Sequence, residues 1–540
     1  MHQPNAFDAI VIGGGHNGLI AGSYLSRRGA RVMVLEARDR IGGAADTSSP
    51  WPEHPDWRVN TYSYTCGLLS QRVRDDLELA RYGLALHPAG PFYQAFPDGR
   101  SLRVWADRPS ATREEVAKFS ARDADALEGF DQWIGDVVRV LFPLLTQVPP
   151  RLGSLRFGDL LEQAQLAWSF RGLGERGVAT LTQLFTMSIA DVLDRWFESD
   201  EIKASFTPLS VIGAWAGPYE PGTAYVLMHH LAADVPGGNA GAWAFPEGGM
   251  GGVSQAILRS GQAHGMQVRT RAKVARILTV GDRARGVVLT SGEELTATTI
   301  VTSVHPQLTF LRFLDPGELP DAFVRDIRAW RSRSGCVKVN LVLSELPDFI
   351  ADPGTDLQEH HTGYLEYCLS MDHVERAFED ARNGRVAVMP YGDANIPTTL
   401  DRTLMPEGLH QFSIFTQYVP SEWNLEPHRD ELEAYADRLI DGYTALAPNL
   451  KSSIVARQVL GPYDMEQDLG MIGGNIFHGE LSVDQLFHMR PAPGYADYRS
   501  PIPGLYHASS ATHGGGGVTG IPGYQAVRQI LRDRKERARR

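Results

Sequence analysis

The spacing of apolar positions changes several times along this chain, and each change predicts a different kind of element. Ala9-Ile10-Val11-Ile12 is a continuous apolar run, too short for a globular helix, that breaks at Gly13-Gly14-Gly15. A strand buried on both faces reads this way as it enters a tight turn. A helix over about 17–28 and a second apolar strand over 31–35 follow, completing a βαβ unit. From 112 to about 206 the spacing becomes helical. Ala126, Leu127, Phe130, Trp133, Ile134, Val137, Val138 and Leu141 recur at intervals of three and four up to Pro143, and 157–170 and 177–197 continue the pattern. Short strands are predicted over 86–106 around a Pro97-Asp98-Gly99 turn, and again over 267–279 and 284–289. Val337 to Leu343 and Gln411 to Val419 alternate like strands, and an amphipathic helix over 431–447 stops at Pro448.

The glycines at the end of the first strand carry the chemistry. In Gly13-x-Gly15-x-x-Gly18, Gly13 permits the turn, Gly15 lets backbone approach a pyrophosphate, and Gly18 lets the following helix pack closely. That helix, which starts at about Asn17 just after His16, aims its unpaired N–H groups and positive dipole end at the phosphates, so His16 and Asn17 are also candidate cofactor contacts. Glu36 ends the second strand, where a carboxylate can accept hydrogen bonds from a ribose diol, and no arginine immediately replaces it to favour a 2′-phosphate. Ala37-Arg38 then leads to a second close-approach site, Gly42-Gly43-Ala44, which favours FAD over NAD. Near the other end, 505–507 predicts a buried strand, followed by Gly514 to Gly517 and a closing helix over 523–534. Bare backbone at Gly516, Gly517 and Val518 can lie against a flat ring. The nucleotide domain is therefore expected to be built from both ends of the chain.

These residues resemble the FAD-dependent oxidoreductases that include phytoene desaturases, carotenoid isomerases and, more loosely, flavin amine oxidases. Further blocks are similar to one branch of that family, pyridine nucleotide-disulfide oxidoreductase domain-containing protein 2 and its bacterial relatives: Gly14 to Leu19, Asp194 to Ser199, Pro221-Gly222 through His229-His230, Gly473 to His478, and Gly514 to Gly520. The resemblance implies an α/β fold: a Rossmann-type FAD-binding domain of the glutathione reductase-like, phytoene desaturase type, with an inserted α+β substrate domain carrying a helical subdomain. Its segments would be 1–105, 236–310 and 451–540 for FAD, 106–235 for the helical insert and 311–450 for the substrate sheet. The block Pro246-Glu247-Gly248-Gly249-Met250-Gly251 implies that Val274 lies beside the adenine. His229 and His230 read as helix histidines satisfied in the core.

By the same resemblance, hydride leaves a C–H bond of an apolar carotenoid-, isoprenoid- or lipid-like substrate for flavin N5, and His478 and His513 are the candidate acid/base groups. The insert and the sheet around Lys338 to Leu343 are expected to enclose the apolar cavity, in which nothing places a carboxylate. Three alternatives stay open: an amine oxidase, a redox-neutral isomerase, and a flavoprotein acting as a binding or assembly partner. The chain departs from its neighbours at two points. Ala508-Ser509-Ser510-Ala511 replaces the usual flavoprotein acid, and Lys338, the one lysine of six in a candidate cavity strand, is not assigned the amine oxidase lysine's part.

Length and charge narrow the setting. At 540 residues the chain exceeds a single core, and a net charge of −12 argues against nucleic acid. Three separated cysteines form no CxxC, and no metal site is expected. No run reaches the roughly 18 apolar residues of a spanning helix, and the first strand begins too early for a leader, so a cytoplasmic protein is expected. Residues 141–150 and the basic tail are where a peripheral membrane contact would form. The electron acceptor (oxygen, quinone or carrier) and self-association are left open.

Overall fold

The structure, a computed structural model, describes residues 6–152, 154–155, 157–171, 174–231 and 242–539. The boundary expected at 235/236 lies outside the described residues. Two seven-stranded sheets organise the chain. The first runs in the order Val274–Val280, Arg283–Leu289, Glu294–Thr302, Ala6–Ile12, Val32–Leu35, Gln267–Arg269, with Leu505–His507 paired in parallel to the end of Glu294–Thr302. Ala9 and Val11 enter the core on one face of this sheet and Ile10 and Ile12 the core on the other; Val32 and Val34, against Met33 and Leu35, divide in the same way. Two covered faces explain why these strands read as unbroken apolar runs. The helix His16–Ser26 packs against both Gly249–Gln262 and Ile521–Arg539, joining three distant parts of the chain on one face.

The second sheet runs in the order Ile454–Leu460, Cys336–Leu343, His410–Gln417, Tyr391–Asn395, Tyr364–Tyr367, Phe92–Ala95, Ser101–Val104. It is antiparallel except where Phe92–Ala95 meets Tyr364–Tyr367. Two expectations are corrected here. The hairpin at 92–104 belongs to this second sheet and not to the first segment of the nucleotide domain, and Ile454–Leu460 pairs with Cys336–Leu343 rather than with the nucleotide strands. Local alternation predicts a strand but carries no information about its partner.

The insert is helical as expected, with Ala121–Leu145, Phe157–Phe170, Gly174–Thr186 and Ile189–Trp196. Its aromatic residues serve mainly as core. Phe130 is fully buried and meets the rings of Trp133, Trp196, Phe197 and Phe206 at centroid separations of 6.1, 5.7, 5.0 and 5.1 Å. Among the described residues no helix is long and apolar enough to cross a membrane.

Candidate active site

A cavity of about 690 Å³ borders both sheets. At one end it is walled by the glycine turn: Gly13, Gly15, His16, Asn17, Glu36, Ala37, Arg38, Gly43 and Ala44. Gly13 has φ +98°, and a Cβ there would meet Ser303 Oγ at 2.6 Å. At Gly18 a Cβ would lie 2.0 Å from the Gly13 carbonyl oxygen, so Gly18 serves the packing of helix on turn and does not border the cavity. Gly15 differs from both. The atom nearest to a Cβ there is Gly43 Cα at 3.8 Å, and its φ is an ordinary −68°. Nothing within the protein requires a glycine at 15, and the turn leaves space for a ligand there.

The helix behind this turn begins with no side-chain cap and no acidic residue in its first turn, which leaves its N–H groups open to an anion. Glu36 Oε2 accepts the Gly14 N–H at 2.7 Å and Oε1 the Arg38 N–H at 2.9 Å. Arg38 Nη2 donates to the Gly43 carbonyl at 3.0 Å and Nη1 to Asp468 at 3.0 Å, bracing the second glycine pair. Gly42, at φ +116°, makes that turn without bordering the cavity itself. Val274 lines the same end together with Ala272, Lys273, Arg312 and Phe313. His16 Nε2, Asn17 Oδ1 and His478 Nδ1 are buried without a partner, and all three residues border the cavity. Orphaned buried polar atoms around a crevice lined by bare backbone fit a dinucleotide cofactor.

From the C-terminal cradle, Ser510, Gly517 (φ +95°) and Val518 (φ +58°) reach this cavity. Gly516 does not. A Cβ on Gly516 would overlap the Phe477 ring at 2.0 Å, so its bareness makes room for that side chain. His478 borders the cavity, and burial, with His16 and Arg490 nearby, pushes its pKa down to about 3. His513 does not border it, which corrects the expectation for this residue. Its Nε2 donates to the Leu144 carbonyl at 2.7 Å, and the ring lines a separate cavity of about 730 Å³ with Leu166, Phe185 and Phe487. Positive φ angles at Gly515 and Gly517 separate the direction His513 takes from that of the cradle.

The far end of the main cavity is walled by Leu68, Phe92, Leu209, Ile212, Trp243 and Phe415. Among the described residues none of 112–206 lines this cavity; the insert reaches it through its later part, at Leu209, Ile212 and His230, while its earlier helices wall the second cavity. His230 borders the main cavity with its Nδ1 bonded to the Val226 carbonyl at 2.9 Å. A polar wall stands among the apolar groups. Lys338, 1 % exposed, donates from Nζ to Asn340 Oδ1 at 2.8 Å and Ser413 Oγ at 2.5 Å, and lies 5.3 Å from the centre of the Tyr64 ring. Burial holds its pKa well below the ordinary lysine value. Tyr64 stacks on Phe415 and donates its hydroxyl to Asp393 Oδ2 at 2.5 Å. Asp393 is therefore a carboxyl group in a cavity where none was expected; its pKa is raised by burial to about 7.

Sequence reasoning missed Asp393, the 465–472 segment and the Leu308 to Phe313 wall. The one available signal was an acid inside Tyr391–Asn395, a short strand that is buried throughout.

Comparisons with known proteins agree with this geometry. Residues 11–74 match the NAD(P)-binding Rossmann-like domain and residues 183–377 the flavin containing amine oxidoreductase model. Pyridine nucleotide-disulfide oxidoreductase domain-containing protein 2 of Rattus norvegicus is 38 % identical over 98 % of this chain and 94 % of its own. A limonene dehydrogenase chain from Castellaniella defragrans is 25 % identical over 99 % and 96 %. Among solved structures, a putrescine oxidase redesigned in its cofactor binding superposes with a TM-score of 0.62 at 15 % identity, covering 98 % of this chain and 99 % of that one.

Proposed function

The chain belongs to the flavin-dependent oxidoreductase family of pyridine nucleotide-disulfide oxidoreductase domain-containing protein 2, and we propose that it dehydrogenates an apolar, isoprenoid- or lipid-like substrate at a C–H bond, leaving an alkene. FAD is its cofactor, held by the turns at Gly13 to Asn17 and Gly42 to Ala44, by Glu36 and Val274, and by the backbone at Gly517 and Val518. When bound, FAD supplies the two-electron acceptor. The chain's own part is to seat the carbon, exclude water and place the departing proton.

The observation that carries the reading is the far wall of the cavity. Leu68, Phe92, Leu209, Ile212, Trp243 and Phe415 offer an extended apolar surface that suits a hydrocarbon chain. The limonene dehydrogenase chain, similar from end to end, is named for an apolar substrate, which supports the same class. A second reading, amine oxidation, is favoured by the polar wall: a buried lysine and an aromatic surface with Asp393 behind Tyr64 would hold a nitrogen.

Anaerobic addition of polyenes, isoprenoids and small amines to the FAD-loaded protein separates the two. Bleaching of the flavin absorbance by an isoprenoid or lipid, with amines inert, is the expected result. Rapid bleaching by small amines alone overturns the desaturase reading and establishes the other.

A further inference from the structure

Dehydrogenation releases a proton as well as a hydride, and the two histidines expected to take it differ in position. His513 faces a different cavity, and His478 stands at the cofactor end beside His16, buried in its neutral form. We propose that Asp393 is the proton acceptor of the dehydrogenation proposed for this cavity, and that Glu366, directly opposite it in the sheet, is the positioning residue for that carboxyl group.

The strands Tyr364–Tyr367 and Tyr391–Asn395 are antiparallel, with Glu366 directly opposite Asp393. Directly opposed side chains stand on one face of the sheet with Cβ atoms about 5 Å apart. The two residues are 4 % and 2 % exposed, and among the described residues neither forms an ion pair. Two carboxylates this close in a buried sheet cannot both ionise cheaply. Burial and the neighbouring carboxyl hold Glu366 well above its ordinary value, and burial raises Asp393.

The surrounding groups leave Asp393 as the one that can act. Tyr64 occupies its Oδ2, while Oδ1 is buried without a partner in a residue that borders the cavity. Glu366 Oε2 is likewise unpartnered, but Glu366 does not reach the cavity. The Tyr364 hydroxyl is bonded to Thr65, and Tyr443 donates to the Leu365 carbonyl at 2.8 Å. Cys66 and Cys368, the other titratable groups near the pair, are thiols whose pKa burial raises. Lys338, which favours the charged form of Asp393, directs its Nζ to Asn340, Ser413 and the Ile414 carbonyl.

FAD, when bound, would take the electron pair of one substrate C–H bond as hydride. The adjacent C–H bond breaks with its electron pair becoming the new π bond, and its proton forms an O–H bond at Asp393 Oδ1. The carboxyl pair passes from one proton and a single negative charge to two protons and no charge. Loss of one proton to solvent resets it.

Infrared spectroscopy of protein labelled with carbon-13 aspartate tests the pair without any substrate. Asp393 is expected to be the ionised member of the pair above neutral pH and to gain its label-shifted carbonyl band as the pH falls through about 7, a band that vanishes in Asp393→Asn and titrates at lower pH in Glu366→Gln and at higher pH in Tyr64→Phe. An Asp393 that titrates with the bulk of the carboxylates overturns the pair. The second arm follows anaerobic flavin reduction by a lipid-like substrate. Asp393→Asn should slow it roughly a hundredfold or more with FAD occupancy unchanged. Glu366→Gln should retain reduction, with the pH profile moved in the direction of its infrared band. An unchanged rate in Asp393→Asn overturns the acceptor role alone. A wild type that no isoprenoid or lipid reduces, with the infrared band present, overturns the reading of function and the acceptor role with it.

Discussion

Glu36 Oε2 accepts the backbone N–H of Gly14 at 2.7 Å, tying the end of the second strand to the glycine turn at the end of the first. A carboxylate oxygen has capacity for a second donor, so the same group can hold the turn and still receive a ribose hydroxyl. One side chain thereby fixes the shape of the cradle and keeps acceptor capacity for a ligand.

Glu36→Gln should therefore weaken FAD binding by about 1.5–3 kcal/mol, the usual loss for a hydrogen bond to a charged group, or roughly ten- to a hundredfold in Kd. Glu247→Gln is the control, because Glu247 is exposed and its carboxylate lies 3.8 Å from the His87 ring, beyond hydrogen-bond distance. Titration of the apoprotein with FAD, followed by flavin fluorescence, compares the two. Equal losses would remove Glu36 from the ribose.

Gly15→Val should leave the fold intact and the protein colourless. Since the nearest atom to a Cβ at this position lies 3.8 Å away, the substitution meets little protein, and the added methyl groups occupy the space of the pyrophosphate. The flavin-to-protein absorbance ratio, read beside a circular dichroism spectrum, checks both halves. Normal flavin content would place the phosphates elsewhere.

His478→Ala and His513→Ala should diverge. His478 borders the cofactor end, so its loss should alter the flavin spectrum and slow reduction, without removing a pH inflection near 6.5, because the ring stays neutral down to about pH 3. The His513 variant should keep its reduction rate and lose about 1 kcal/mol of stability with the bond to the Leu144 carbonyl. Stopped-flow reduction and thermal unfolding separate these outcomes.

Acid should destabilise the protein earlier than its carboxylates alone would. His16, His229, His230, His478, His507 and His513 are buried in the neutral form with pKa values lowered to about 3 or 4. Below pH 6.5 the unfolded chain binds protons that the folded one refuses, so stability present above 6.5 is lost as the pH falls toward 4. Each histidine contributes up to about 1.4 kcal/mol per pH unit in that window. Asp393 and Glu366, raised in the fold, act with the opposite sign but are outnumbered. A Tm that stays flat from pH 7 to pH 5 would mean that these histidines take up protons within the folded state.

What the sequence determined by itself was local. An apolar run broken by Gly13, a helix capped by Gly15 and an acid at Glu36 are set by sterics and dipoles within a few turns of chain, so their order alone identified the nucleotide cradle. The helical spacing around Phe130 identified the insert for the same reason. Tertiary structure decided the rest, because a strand's alternation names its faces but not its neighbour. Pairing set the 92–104 hairpin and Ile454–Leu460 into the second sheet. The turn after His513 sent that ring toward Leu144, and the register that sets Glu366 opposite Asp393 put two acids, distant in sequence, side by side in the core. Burial then shifted the proton equilibrium of that pair, a property of the surroundings that no residue carries in its own spacing along the chain.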